Sequence, residues 1–378
     1  LDYARLPKGH DVINFFGREG IMDEIEGDLK LGKKLGLFGI HKMGKSSVLK
    51  TLQRRLKSPI AYVYLKKDMP LREIYQNILK AWEIDIPFKY PNFVWNIDES
   101  NFNSTISFET TVKELLERLR DSTYIAHLSI FLDEIGTIIP YKEGDEDTLN
   151  RYVSLMDSLR GLQQETESLS LVVSGVHPTL ARVNYFWGSQ KNPMHQVIVE
   201  KFLPPLERDD CEIMVRSLGK QVGLDYDDET MEYILRKSGA HPYLARQLCS
   251  SAYRKYKETG LMPFETMQKV AEEFVYNPSC NDYFNDNALW GELAKENIWG
   301  KGIREINHHI LRRLADSEKG LSKAELSQGI KRTVFEESFS ALKERSIIAL
   351  LTGTNRYHIT FELFRDWIRA HKLNKGKE

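Results

Sequence analysis

The stretch Gly39-Ile-His-Lys-Met-Gly44-Lys45-Ser46 follows the pattern G-x-x-x-x-G-K-[ST], and its flanks leave few ways to fold it. Before it, the apolar run Leu35, Leu37, Phe38 predicts a short buried strand. After it, Val48, Leu49, Leu52 and Leu56 recur at helical spacing, which predicts a helix over Ser46 to Leu56. Strand, glycine loop and helix start together aim backbone N–H groups and the positive helix end at a polyphosphate. Gly39 and Gly44 permit backbone conformations and close approaches that a Cβ would block. Lys45 is placed to reach the β and γ phosphates, and the Ser46 hydroxyl to sit on Mg²⁺. Met43 and Ser47 complete the set of loop residues expected against the nucleotide.

A phosphate loop needs a strand that brings a carboxylate to the metal. Leu128-Ser-Ile-Phe-Leu-Asp133-Glu134 answers that need with a mostly apolar strand ending in two acids. Asp133 is assigned to hold Mg²⁺ through a water, and Glu134 to orient and deprotonate the attacking water. Further strands are predicted over Leu169 to Gly175 and over Gln196 to Leu203, the last one closed by Pro204-Pro205. Ile60 to Leu65 reads as the strand between loop and metal carboxylate. That intervening strand, with Glu134, favours the branch of phosphate-loop proteins that activates water by a strand-end glutamate. No N/T-K-x-D guanine-reading motif occurs, so adenine is the expected base.

Composition narrows the remaining choices. The chain has 378 residues, enough for two or three domains, and a formal net charge of -1. There is therefore no global basic field to draw in nucleic acid or an acidic membrane. Cys211, Cys249 and Cys280 are widely spaced, as in a reducing compartment, and make neither a disulfide framework nor a zinc site. No apolar run reaches membrane-spanning length and no secretory leader is legible, so the expected location is the cytoplasm.

Motifs outside the loop carry a family resemblance. Phe15-Phe-Gly17-Arg18-Glu19 precedes the loop by one helix bearing Ile21, Met22, Ile25 and Leu29. Lys201-Phe-Leu-Pro-Pro-Leu206 comes after the last strand, and Ser238-Gly-Ala240-His-Pro242-Tyr-Leu244 later. Phe364-Arg-Asp-Trp367-Ile368 lies near the C-terminus. These resemble, in order, the F-x-GRE opening motif, the lid junction, the G-G-H-P-Y-L lid signature and the closing winged-helix segment of the STAND class. That class comprises AAA+-related signal-transduction ATPases, and the archaeal ATPase family is similar. The resemblance implies that Gly17 and Arg18 border the adenine and ribose, and that Pro242 packs near the base. It also implies that Ser174 is the polar strand-end residue near the γ-phosphate. Two positions depart from the pattern: Ala240 replaces the second lid glycine, and no arginine comes after Ser174. Arg160, Arg182 and Arg246 are all candidates for an arginine finger.

The expected fold is an α/β P-loop NTPase with an AAA+/STAND-like parallel sheet, followed by an all-α lid and a winged-helix domain. The boundaries expected are 1–205, 206–300 and 301–378. Within the first, Asp68 to Asp121 carries two amphipathic helices separated by the Pro-broken aromatic stretch Pro87 to Trp95, an ordered insertion. In the second, Asn277 to Asp282 marks a break, and Gly300 to Gly302 the next boundary. In the third, Ser322 and Thr333 cap two helices, and Ile347 to Leu351 pairs with Tyr357 to Ile359 across Thr352 to Asn355. The third winged helix is acidic, with Glu336, Glu337 and Glu344 against Lys343 and Arg345, which disfavours DNA binding.

Together these features predict a Mg²⁺-dependent ATP hydrolase with slow, switch-type turnover, bound to ATP or ADP. The resemblance implies self-association on activation through an unidentified protein trigger or effector, without membrane contact. Many relatives of this kind serve in antiviral defence. Rival readings are a DNA-binding ATPase resembling archaeal origin-recognition proteins, an adaptor that binds ATP without turning it over, and a small-molecule kinase.

Overall fold

The computed structural model describes residues 15–95, 104–123, 127–256, 259–277, 282–293 and 303–373. The breaks expected at Asn277 to Asp282 and Gly300 to Gly302 lie largely outside the described residues, as does Cys280. The chain divides into two compact units. One holds Arg18–Gly39 and Gly44–Leu203; the other gathers Gly17, Ile40–Met43 and the residues from Pro204 on.

The first unit is built on five parallel strands: β1 (Leu35–Phe38), β2 (Ile60–Tyr64), β3 (Leu128–Asp133), β4 (Leu169–Gly175) and β5 (Val199–Phe202). Their order is β2-β3-β4-β1-β5. Every residue of β1, β3 and β4 is buried, which explains why these strands read as mostly apolar runs rather than alternating ones. In space the strand inserted between β1 and β3 is β4, whereas β2 lies beyond β3 at the sheet edge. Sequence order therefore does not give the intervening strand.

Helices α1 (Glu19–Lys30), α2 (Lys45–Arg55), α3 (Leu71–Lys89), α4 (Thr105–Thr123) and α5 (Glu146–Thr166) belong to this unit, with a single helical turn at Thr179–Arg182. In α1, Met22, Ile25 and Leu29 form the buried stripe, with Glu19 in the first turn and Lys30 in the last, matching the helix dipole. The strand expected from Gln196 begins only at Val199. Gln196 takes a left-handed φ of 57° and donates its N–H to Ala181 O, so the chain is still turning there.

Pro87 does not break its helix, contrary to the expectation from sequence. Helix α3 continues through it to Lys89, because its last two turns are fastened to the sheet. Trp82 Nε1 donates to Ser129 O at 3.1 Å, and Asp85 Oδ2 accepts the Ile60 N–H at 2.7 Å. Lys89 Nζ lies 2.8 Å from Asp85 Oδ2 and donates to Ser58 O at 2.8 Å. Burial, offset by Asp85, holds the Lys89 ammonium below its ordinary pKa. These bonds offset a proline penalty of about 3 kcal/mol. Phe93 and Trp95 then pack into the core of the unit. Trp82→Ala, removing a fully buried indole, is expected to destabilise the protein by about 3–5 kcal/mol, read as a lower urea midpoint.

In the second unit, helices Arg208–Gln221, Asp228–Ser238, Pro242–Tyr256 and Phe264–Tyr276 succeed one another. Two-residue strands Leu224–Asp225 and Gly260–Leu261 pair in parallel between them. Gly239 and Ala240 both adopt positive φ where the chain reverses into Pro242. Ala240, at φ 55°, bears the Cβ penalty of about 1–2 kcal/mol that glycine avoids.

Farther on, Ile303–Asp316, Lys323–Leu326 and Arg332–Glu344 are helical. Strand Arg356–Ile359 pairs antiparallel with both Leu321–Ser322 and Ile348–Leu350, and helix Glu362–Ile368 closes the segment. Ser322 caps its helix in a full capping box with Glu325. Thr333 does not cap: the third helix starts at Arg332 with Lys331 at the N-cap, which puts Thr333 inside the first turn. Stacked Phe284, Phe364 and Trp367 form an aromatic centre, and Lys237 reaches Asp366 at 2.6 Å. Among the described residues, no helix is long and apolar enough to cross a membrane.

Candidate nucleotide site

In the sheet unit, the functional residues expected from sequence fall at the C-terminal ends of β1, β3 and β4, where parallel α/β sheets place their ligands. The loop after β1 ends in α2, whose N-cap is Gly44 at φ 103° with no side-chain cap. Only glycine adopts that φ without strain, and nothing lies within 4 Å of where a Cβ would stand. A helix start without a side-chain acceptor leaves its first-turn amides for another acceptor, of which a phosphate is the best matched. Lys45 is 5% exposed and its Nζ donates to Gly39 O at 2.9 Å, so the ammonium is folded back along its own loop. Ser46 and Ser47 come next in the first turn.

Across the sheet, Asp133 is fully buried at the end of β3. Three neutral donors meet its carboxylate. Ser174 Oγ donates to Oδ1, the Glu134 N–H donates to Oδ1 at 3.1 Å, and Tyr62 Oη donates to Oδ2 at 2.7 Å. Ser174 is thus brought onto the carboxylate of Asp133, one step past the last paired positions of β3 and β4, Leu132 and Val173. Glu134 has a left-handed φ of 60° and caps a short 3₁₀ turn, its carbonyl accepting the Thr137 N–H (3.0 Å) and hydroxyl (2.9 Å). Such strained non-glycine positions cost about 1–3 kcal/mol and concentrate at functional sites.

Two tyrosines of β2 join the site without having been expected there from sequence. Burial, followed by the charge of Asp133, pushes the Tyr62 phenol well above its ordinary pKa. Burial likewise raises Tyr64, with Glu134 and Asp133 adding to the effect. Asp133 is bonded to the Tyr62 phenol and pairs with Tyr64 across the β2–β3 ladder. The only signal in the sequence is an aromatic pair spaced by two on one strand.

Other expected residues lie elsewhere. Arg18 stands in the left-handed region at the start of α1. Gly17, Met43 and Pro242 belong to the second unit, where Pro242 is the first residue of its helix. At Gly17 a Cβ would come within 2.3 Å of Asp210 Oδ2, so a larger residue would have to displace the Asp210 side chain. The three candidate arginines are engaged within their own units. Arg160 donates to Pro193 O (3.0 Å), and Arg182 grips Glu200 with two nitrogens. Arg246 lies against Met214 and is pushed down to about 10 by burial.

The residues present fit Mg²⁺. Neutral donors solvate the buried Asp133 charge without cancelling it, and a divalent cation would do so. Among the described residues, no cluster of three or more His, Cys, Asp or Glu forms a cage. A cation here would rest on one carboxylate, a serine hydroxyl and phosphate oxygens, the manner in which Mg²⁺ is usually held.

Comparison with known proteins agrees with this geometry. Residues 33–183 match the family described as AAA domain. No curated protein matches the chain. Among solved structures, it is similar to the Walker-type ATPase PABY2304 of Pyrococcus abyssi, with 17% identity and a TM-score of 0.59 over 95% of this chain and 97% of that one. At that identity the likeness shows the fold. The RuvB Holliday junction branch migration motor of Thermotoga maritima (14% identity, TM-score 0.42, 94% and 95% covered) is a looser match. So is Cdc6p of Pyrobaculum aerophilum (14%, 0.42, 97% and 95%), and neither carries an argument. The AAA-domain match and the shared fold support an AAA+ P-loop NTPase.

Proposed function

We propose that this chain binds ATP with Mg²⁺ and hydrolyses it as a signal-transduction switch of the STAND type. One observation carries the reading: two adjacent acids in unlike settings, Asp133 buried among donors and Glu134 half-buried on a strained turn. Such a division assigns metal holding to the first and proton abstraction to the second. The amide end of α2 and the Lys45 ammonium take the β and γ phosphates. Ser46 and Asp133 hold Mg²⁺, which when bound supplies charge neutralisation on the phosphates. Glu134 accepts the proton of the attacking water, and the Ser174 hydroxyl fixes the metal carboxylate.

In this reading residues 206–300 act as the helical lid and 301–378 as a winged helix. ADP holds the resting state, and exchange for ATP exposes a self-association surface. A role for the helix Arg332–Glu344 in docking protein rather than DNA is supported by its charges. Glu336, Glu337 and Glu344 lie on it, and Lys323 is already paired with Glu336 at 2.7 Å. Mass photometry of the full chain tests the switch. The expected result is one protomer with ADP and at least a doubled mass with a non-hydrolysable ATP analogue. An unchanged mass in both would reject self-association.

A further inference from the structure

We propose that Tyr283 is a positioning residue for nucleotide binding: its hydroxyl holds the His41 carbonyl and thereby turns the Lys42 N–H toward a nucleotide phosphate. The inference rests on the nucleotide reading above.

His41 and Lys42 lie inside the phosphate loop, and the stretch Ile40–Met43 belongs to the same unit as His241, Tyr243 and Tyr283. Within that unit a directed chain of hydrogen bonds ends on the loop. The Tyr243 N–H donates to His241 Nδ1 at 3.2 Å, so the single proton of the neutral imidazole sits on Nε2. That Nε2 donates to Tyr283 Oη at 2.9 Å, and Tyr283 Oη donates to His41 O at 2.7 Å. A carbonyl only accepts, so the direction of the whole chain is fixed. Burial pushes the Tyr283 phenol well above its ordinary pKa, which keeps it a donor. A trans peptide is planar and sets its C=O and N–H on opposite sides. Fixing His41 O on Tyr283 therefore aims the Lys42 N–H away from that tyrosine. This N–H has no hydrogen-bond partner among the described residues. Lys42 has a left-handed φ of 62° and Gly44 one of 103°, backbone of the kind that gathers N–H groups into an anion-binding concavity. The Lys42 Nζ lies 3.9 Å from the Tyr243 ring centroid and 5.8 Å from that of Tyr283. One residue thus divides its donors: the ammonium is taken by the rings, and the amide is left for phosphate.

The test uses the full chain in EDTA, so that metal plays no part, and compares calorimetric affinities for ADP and adenosine. For Tyr283→Phe the expected result is an ADP affinity about 5-fold lower, the ordinary worth of one hydrogen bond, with adenosine affinity unchanged. The adenosine arm separates positioning from packing: a loosened fold would weaken both ligands, whereas the Lys42 amide meets only phosphate. Melting curves check folding. A second measurement needs no variant that must bind: in the wild-type chain labelled with ¹⁵N-lysine, the Lys42 amide resonance, assigned with Lys42→Arg, is followed by NMR. It is expected to move downfield with ADP and to stay in place with adenosine. Unchanged ADP affinity in the folded variant, equal losses for both ligands, or a Lys42 resonance that ignores bound ADP would overturn the role of Tyr283 alone. A wild-type chain that binds ADP no more tightly than adenosine would overturn the phosphate cradle, and this inference with it.

Discussion

Lys45→Ala is expected to weaken ATP binding about 100-fold, roughly 3 kcal/mol, in a calorimetric titration with Mg²⁺ present. The ammonium is almost wholly buried and one of its protons goes to Gly39 O inside its own loop. Binding a triphosphate would exchange that neutral acceptor for charged oxygens, and charge-assisted bonds are about twice as strong as neutral ones. Alanine forfeits this gain while leaving the amides of α2 in place, so a residual affinity should persist. Lys45→Met keeps the apolar stem and separates packing from charge: it is expected to melt close to wild type and bind as weakly as the alanine variant. An affinity within threefold of wild type in either would remove the phosphate cradle, and with it the rest of the functional account.

How much of this could be read from the chain itself depended on how local each feature is. The loop from Gly39 to Ser46 is contiguous, and its strand and helix lie directly beside it, so pattern and periodicity sufficed. The apolar strands ending in Asp133 and Gly175 were legible for a related reason: buried on both faces, they stand out as mostly apolar runs. Features set by tertiary contacts were not legible. Tyr62 meets Asp133 across 71 positions, through a strand register that no local pattern encodes. Helix α3 crosses Pro87 because Trp82 and Asp85 reach the sheet, and local propensity alone argues for a break. The paired dipeptides Leu224–Asp225 and Gly260–Leu261 are too short to show any period. Spatial strand order was hidden for the same reason: that β4 separates β1 from β3 is a matter of crossover, not sequence.

Glu134→Gln is expected to lower the single-turnover rate of ATP hydrolysis about 10²–10⁴-fold while ATP affinity stays within twofold of wild type. Glutamine keeps the shape and the backbone turn, so the bonds from Thr137 to the residue 134 carbonyl survive, and the Asp133 network is untouched. What disappears is a group able to take a proton. The neighbouring acid cannot substitute, because Asp133 is fully buried and already accepts from Ser174, Tyr62 and the residue 134 amide. A chain that hydrolysed ATP equally slowly with either residue would show that Glu134 is not a working base, which is the adaptor reading. If the base assignment holds, the variant retains ATP through many wild-type turnover times. In the mass measurement with ATP itself, it should then hold the larger species that the wild-type chain loses as ADP accumulates. A glutamine variant that returned to one protomer as quickly as wild type would uncouple assembly from the chemistry at this residue.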